Sequence, residues 1–242
     1  MLNINANRTV REIALEIPEA TRVFEKLRID YCCGGSTPLK DACLSAGIEV
    51  ERLAEMLADA TPTTAEEATT PDFQKASMIE LMMYILDKHH VYTKSEMVRL
   101  ESLLEKVLAA HAENHPELAR VRQLFQALCD DLKPHMFKEE QILFPYIVEL
   151  ERSKLRKGPR PFAPFGTVNN PIRMMLVEHD NAGELLRELR RATSDYSVPA
   201  DGCLSFKTLY EAFEAFERDL HQHIHLENNI LFPRAVELEV NG

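Results

Sequence analysis

His135 and Glu139 stand four residues apart, and so do His223 and Glu227. On an α-helix that spacing puts both side chains on one face about one turn apart, where an imidazole and a carboxylate can reach a common cation. The two pairs belong to a repeated stretch. From His135 to Glu151 and from His223 to Glu239, ten of seventeen positions are identical, including His, Glu, Ile-Leu-Phe-Pro and a closing Val-Glu-Leu-Glu. Identity at a constant offset of 88 residues is duplication, not helix periodicity alone. The copies extend backwards: His179 precedes His223 by 44 residues and His90 precedes His135 by 45. Each half reads as a pair of helices, with His on the first and His-x-x-x-Glu on the second. Four imidazoles and two carboxylates converging from four helices supply six ligands, enough for two ions if the carboxylates bridge. Burying these six groups in a dry core would be costly unless they were paired or bound a metal.

The apolar stripe through Ile79, Met83, Leu86, His90, Met97, Leu100 and Leu104 predicts that His90 faces inward. The stripe through His89 soon meets Glu96 and Arg99, which puts His89 on the flank, beside the ligands or at the surface. Mixed imidazole and carboxylate ligands suit iron, manganese or zinc, and the absence of cysteine from the set argues against a structural zinc knot. Carboxylate-bridged pairs inside four-helix bundles are usually di-iron or di-manganese. The motif here is His-x-x-x-Glu and not the Glu-x-x-His of ferritin-like proteins, which points to the more histidine-rich type of di-iron bundle.

The elements that must position these residues are nearly all helical: glycine is scarce, tryptophan absent, and Leu, Glu, Ala and Met abundant. At 242 residues, two all-α domains are expected, 1–60 and 73–242, joined by a polar linker over 59–72. In the small domain, Thr9 with Glu12 forms a capping-box pattern, and two short helices fit residues 9–28. Thr37-Pro38 opens a third that Gly47 closes, and a fourth spans about Val50 to Ala60. Between them, Asp30-Tyr-Cys-Cys-Gly-Gly35 sets two adjacent thiols before a glycine pair that permits unusual backbone angles. In the larger domain, Ser77 with Glu80 opens a helix over about 77–112. A second runs from Pro116, with Asn114 and Glu117 as a cap pair, to about Lys154. A third covers about 171–193 and a fourth starts near Leu204. Pro145 and Pro233 lie inside the second and fourth, and kinks are expected there.

Cys32 and Cys33, beside the glycine turn, read as functional. Cys43 fits either a core position or a third thiol of a site, and Cys129 and Cys203 read as small buried thiols. Met78, Met82, Met83, Met97, Met174 and Met175 read as core packing. His111, His115, His221 and His225 read as loop or helix-flank residues. A net charge of −11 without a basic stripe argues against nucleic acid. No run of eighteen apolar residues and no leader pattern is visible, so the expectation is a cytoplasmic protein with no membrane partner. Five cysteines without disulfide spacing fit a reducing compartment.

The His-x-x-x-Glu bundle resembles the hemerythrin-like cation-binding domain. Ile29-Asp-Tyr-Cys-Cys-Gly-Gly35 with Leu39-Lys-Asp-Ala-Cys43 resembles the short domain that precedes it in the repair-of-iron-centres, or iron-sulfur cluster repair, family. Lys88-His-His90 and Glu178-His-Asp180 match as well, so the resemblance spans essentially the whole chain. It implies a four-helix bundle with a non-haem di-iron centre of two iron ions, oxo- or hydroxo-bridged. His90, His135, His179 and His223 would be terminal ligands, with Glu139 and Glu227 bridging. It implies damaged iron-sulfur proteins as partners, and protection or restoration of clusters under nitric oxide or peroxide stress. Oxygen-carrying hemerythrins use five histidines, and the four here argue against reversible oxygen transport. Two rival readings stay open: a sensor holding oxygen or nitric oxide, and an enzyme reducing nitric oxide or peroxide. Cys32 and Cys33 would act on the centre or on iron in transit; a homodimer contact through them is the competing role.

Overall fold

The computed structural model of the protein describes residues 4–60 and 72–241. Regular structure among these residues is helical, apart from one isolated bridge between Thr9 and Pro38. Four short helices come first: α1 (Val10–Glu16), α2 (Ala20–Leu27), α3 (Leu39–Ala46) and α4 (Val50–Ala60). The Thr9 capping box forms, Thr9 Oγ1 accepting from the Glu12 amide at 3.2 Å while the Thr9 amide donates to Glu12 Oε2 at 2.7 Å. Val10, Ile13, Phe24, Leu39, Leu53 and Leu57 close into a core of their own. Cys43 belongs to that core, 1% exposed, which decides between its two readings. The fourth helix ends at Ala60 as expected, so Asp59 and Ala60, where the expected helix and linker overlapped, belong to the helix; the linker residues 61–71 lie outside the described residues.

Four long helices follow: residues 78–111, 117–156, 169–192 and 204–241. The first packs along the fourth and the second along the third. Two apolar clusters fill the bundle. One holds Leu100, Leu104, Leu128, Leu186, Phe213 and Phe216; the other holds Leu81, Ile85, Leu143, Ile147, Leu231 and Phe232. The six candidate ligands sit along the chain at the junction of these clusters, screened from water on both sides.

Three of the four long helices are interrupted by a wider π turn: Ile85–His90, Glu139–Leu143 and Glu227–Leu231. Each π turn adds a residue to the helix and shifts the phase of the turns beyond it. In the first helix, Leu81, Met82 and Ile85 face the core before the shift, and Thr93, Met97, Leu100 and Leu104 after it. Met83, expected in the inward stripe, is therefore 58% exposed, and both His89 and His90 are buried. Met174 is exposed as well, whereas Met78, Met82, Met97 and Met175 pack in the core. The expected proline kinks take the same form. Pro145 falls in the first turn after a π segment, where its missing N–H costs little, and Pro233 occupies the equivalent place. No side-chain cap forms at Asn114; the second helix starts from Pro116.

The closing Val-Glu-Leu-Glu of each copy has a structural role that the duplication alone did not reveal. Glu151 accepts the Met78 and Ile79 amides, both at 2.9 Å, so the end of the second helix caps the start of the first. Glu239 accepts the Val168 amide at 3.0 Å and the Tyr146 hydroxyl at 2.8 Å, so the end of the fourth caps the start of the third. Free N–H groups at a helix start and the positive end of its dipole favour a carboxylate there.

Candidate metal centre

Every one of the six ligand candidates is at most 3% exposed, and the bundle brings all of them together. They form two groups: His90 and His223 with Glu139 and Glu227, and His135 and His179 with the same two carboxylates. Within each group the donor atoms lie within 4.8 Å of one another. Glu139 turns Oε2 towards His90 Nε2 at 3.4 Å and Oε1 towards His135 Nε2 at 3.3 Å. Glu227 turns Oε1 towards His223 Nε2 at 3.1 Å and Oε2 towards His179 Nε2 at 3.2 Å. Each carboxylate thus gives one oxygen to each group. Each group also takes one histidine from each half of the duplication.

The far sides of the rings show which nitrogen is free. His90 Nδ1 lies 2.7 Å from Glu140 Oε1, His135 Nδ1 2.8 Å from Glu178 Oε2, and His179 Nδ1 2.7 Å from Asn228 Oδ1. Acceptors at Nδ1 place the proton there and leave a lone pair on Nε2. His135 and His179 then aim two Nε2 lone pairs at each other across 3.0 Å, and His90 Nε2 faces His223 Nε2 across 3.2 Å. Both oxygens of Glu139 and Oε2 of Glu227 are buried with no hydrogen-bond donor. Facing lone pairs beside unpaired carboxylate oxygens are repulsive in a dry core unless cations lie between them, so the residues present fit metal ions.

The electrostatics agree. Burial and the charge of Glu227 push the Glu139 carboxyl up, but His135 and His90 outweigh both and hold it at about 2. Burial opposes a charge on His135, yet Glu139, Glu178 and Glu227 lift it to about 10, so that without a metal a proton on this ring takes the place of the cation and a metal ion would displace it. Burial also opposes ionisation of Glu227, which His223 and His179 nonetheless hold well below the ordinary carboxylate value. Both carboxylates are ionised and ready to coordinate.

Glu140, Glu178 and Asn228 went unnoticed as partners in the sequence, although each is adjacent to a ligand position: Glu140 and Asn228 come directly after the two glutamates, and Glu178 precedes His179. By the same duplication, the counterpart of Glu178 is His89, and the structure decides between its two placements. His89 is 4% exposed, its Nδ1 3.0 Å from Asp219 Oδ1, its ring parallel to His223 with centroids 5.6 Å apart. It lies beside the ligand candidates, as one of the two readings had it, and not at the surface.

The cysteine turn docks onto this site. Asp30 Oδ1 accepts the amides of Cys32, Cys33 and Gly34 at 2.9 to 3.1 Å, which fixes the turn. The glycine pair serves space and not unusual φ: neither residue has a positive φ. A Cβ at Gly34 would lie 3.1 Å from the Asp30 carbonyl, and one at Gly35 would lie 3.1 Å from the Tyr31 carbonyl and Arg11 Cβ. Asn229 donates to the Tyr31 carbonyl at 2.9 Å and Asn228 to the Cys32 carbonyl at 3.2 Å. Asn228 therefore touches both the turn and His179. Cys33 Sγ sits 3.6 Å from the His179 carbonyl oxygen, and Cys32, 5% exposed, lies beneath it with the two sulfurs 3.8 Å apart. The Cys33 bond to Cys32 and burial push the Cys32 thiol well above its ordinary range.

Two other residues differ from expectation, His225 and Cys203. His225 is buried, its Nδ1 accepting from Asn229 at 2.9 Å and its ring edge-on to Tyr31 at 5.3 Å, so it helps hold the small module. His115 is, as expected, a loop residue, set between Glu117 and Asp201. Cys203, read as buried, is an exposed thiol at the start of the fourth bundle helix, 3.2 Å from His111 Nε2. That imidazole and the amides of the first helical turn lower it to about 7.

Residues 81–235 match the Hemerythrin HHE cation binding domain, and residues 6–61 match a Domain of Unknown function (DUF542). The chain is similar over most of its length to curated proteins. One is a "Probable iron-sulfur cluster repair protein" of Haemophilus influenzae, 33% identical over 96% of this chain and 97% of that relative. Another is the "Iron-sulfur cluster repair protein YtfE" of Dickeya chrysanthemi, 33% identical over 96% of this chain and 98% of the relative. A protein of the same description from Yersinia pseudotuberculosis is 31% identical, with 96% and 98% covered. A buried histidine and carboxylate site built for cations, under a cysteine module matched along with it, places the chain in the hemerythrin-domain family of iron-sulfur cluster repair proteins.

Proposed function

We propose that this chain restores damaged iron-sulfur clusters with two iron ions, one in each histidine pair, bridged by Glu139 and Glu227. The observation that carries this reading is the division of the two carboxylates, each giving one oxygen to each pair of imidazoles. Two irons would supply exchangeable metal and redox chemistry to a damaged cluster.

The residues' own contributions are set by their contacts. Glu140, Glu178 and Asn228 hold three imidazoles in the tautomer that frees Nε2. Lys94, 2.5 Å from Glu140, and Lys138 beside Glu178 offset the added carboxylate charge. The apolar clusters on either side keep water from competing for the ligands. Cys33 is the half-exposed thiol nearest the ligands, next to the His179 backbone, and is suited to hand iron or electrons between the centre and a client protein.

The test is metal analysis of anaerobically purified protein, followed by incubation with an apo iron-sulfur protein. Two irons per chain with cluster restoration supports the reading. Two irons without transfer, but with nitric oxide uptake or turnover, moves the function to sensing or reduction. Fewer than two irons from a fully reconstituted protein removes the paired centre.

A further inference from the structure

A cavity of about 520 Å³ opens between the cysteine turn and the third bundle helix, on the side of Cys33 away from the ligands. That volume lies within the range that small-molecule sites occupy, roughly 300 to 1,000 Å³. Phe24 and Ile29 give it an apolar wall, and Asp30, Cys33, Arg187 and Arg191 give it a reactive and charged one. Several of its charges are engaged elsewhere: Arg28 with Asp195, Arg190 with Glu217, and Glu25 with His221 and Tyr31. Arg187 and Arg191 both pair with Glu184, Arg187 through Nε and Nη2 and Arg191 through Nη2, which leaves Arg187 Nη1, 3.7 Å from Asp30 Oδ2, and the remaining N–H groups of Arg191 to meet a ligand, on guanidinium groups half or more exposed. Arg187 is also beside the thiol. A Cβ added at Gly183 would lie 3.6 Å from Arg187 Nη1 and 3.7 Å from Cys33 Sγ, so the absent side chain keeps the two open to one another.

We propose that this cavity binds a low-molecular-weight disulfide carrying free carboxylate and ammonium groups, with Cys33 as the residue that exchanges with it. A carboxylate would sit on Arg187 and Arg191, an ammonium on Asp30, and the sulfur at Cys33. The step is thiol–disulfide exchange. Cys33 gives its proton to water and its sulfur attacks one sulfur of the disulfide. A new S–S bond forms to Cys33, the old one breaks, and the departing half leaves with the electron pair and takes up a proton. Cys32 also lines the cavity but is only 5% exposed, so Cys33 is the more accessible of the two thiols. The site goes beyond cluster repair and stands whether or not the metal centre is loaded.

The experiment uses the full chain with Cys203→Ser, which removes the exposed thiol at the other end of the bundle. Mixed-disulfide formation at Cys33 is followed by peptide mass spectrometry with glutathione disulfide and with the uncharged hydroxyethyl disulfide. Each rate is normalised to that of an unstructured cysteine peptide. Glutathione disulfide should be preferred by about ten-fold, the size of one charge-assisted hydrogen bond. Arg187→Gln or Arg191→Gln should abolish the preference while the hydroxyethyl disulfide rate stays unchanged, which also controls for folding. Equal normalised rates for the two disulfides would overturn the proposal. So would a preference that survives both substitutions, or adducts that avoid Cys33.

Discussion

Glu139 and Glu227 are the residues on which the centre depends most, because each faces both histidine pairs. Glu139→Ala or Glu227→Ala should therefore lower iron at both positions together, to below one per chain, as measured by metal analysis. His89→Ala should behave differently. It belongs to neither group of converging donor atoms, so iron content should hold. Emptying a buried site stacked on His223 should still cost about 2 kcal/mol in denaturant unfolding. Iron lost on His89→Ala and kept on His90→Ala would reverse the assignment. Cys203 is testable apart from the metal. With its thiol near 7, alkylation should rise through about pH 7. In His111→Ala the midpoint should move towards the ordinary thiol value, about 8.5, because the imidazole that stabilises the thiolate is gone.

Helix ends and helix phase carry the next level. Glu151 and Glu239 tie the end of one helix to the start of another across each half, which closes the bundle at one end. Removing a cap of this kind costs about 1 to 2 kcal/mol, so Glu151→Ala and Glu239→Ala should each lower the unfolding free energy by that amount. Glu239 adds a pH signature. Burial opposes its ionisation, but Thr167, Tyr146, the Val168 amide and Arg160 hold its carboxyl below the ordinary value. A depressed carboxyl contributes its full stability above the ordinary value of 4.5 and loses it as pH falls through the folded-state value. Glu239→Gln should thus narrow the stability gap between neutral and acid pH, read as unfolding free energy against pH. The π turns have a corresponding function in phase. The turn at Ile85–His90 lets two consecutive histidines face the core, and those at Glu139 and Glu227 start at the two carboxylates themselves.

At the scale of the whole molecule, the small module has its own core but leans on the bundle through polar contacts. Arg11 donates to the Asn229 carbonyl at 3.2 Å, Asn229 to the Tyr31 carbonyl, and His221 meets Glu25 at 2.8 Å. All six ligand candidates lie in the bundle. A fragment from residue 73 onward should therefore fold and bind the same number of irons as the full chain, checked by helical circular dichroism and metal analysis. It should be less stable, since the contacts of Tyr31 and Glu25 with His225, Asn229 and His221 would be lost. An insoluble or metal-free fragment would mean that the module completes the bundle. No helix among the described residues is long and apolar enough to cross a membrane.

The sequence by itself determined the all-helical class, the duplication and the identity of the six residues that meet at the centre. These are local properties: composition sets helix content, and an i, i+4 spacing survives any arrangement of the helices around it. It could not say which histidine pair the cysteine turn would meet, nor which histidines would lie together. Only the packing of the first helix on the fourth and the second on the third pairs His90 with His223 and His135 with His179. Helix phase was misread at Met83, and left His89 open between two places, because a π turn adds a residue that regular 3.6-residue spacing does not contain. The partners of the rings, Glu140, Glu178 and Asn228, and the approach of Arg11 and Asn229 to Gly35, are contacts between distant segments. Such contacts exist only once the chain has closed on itself.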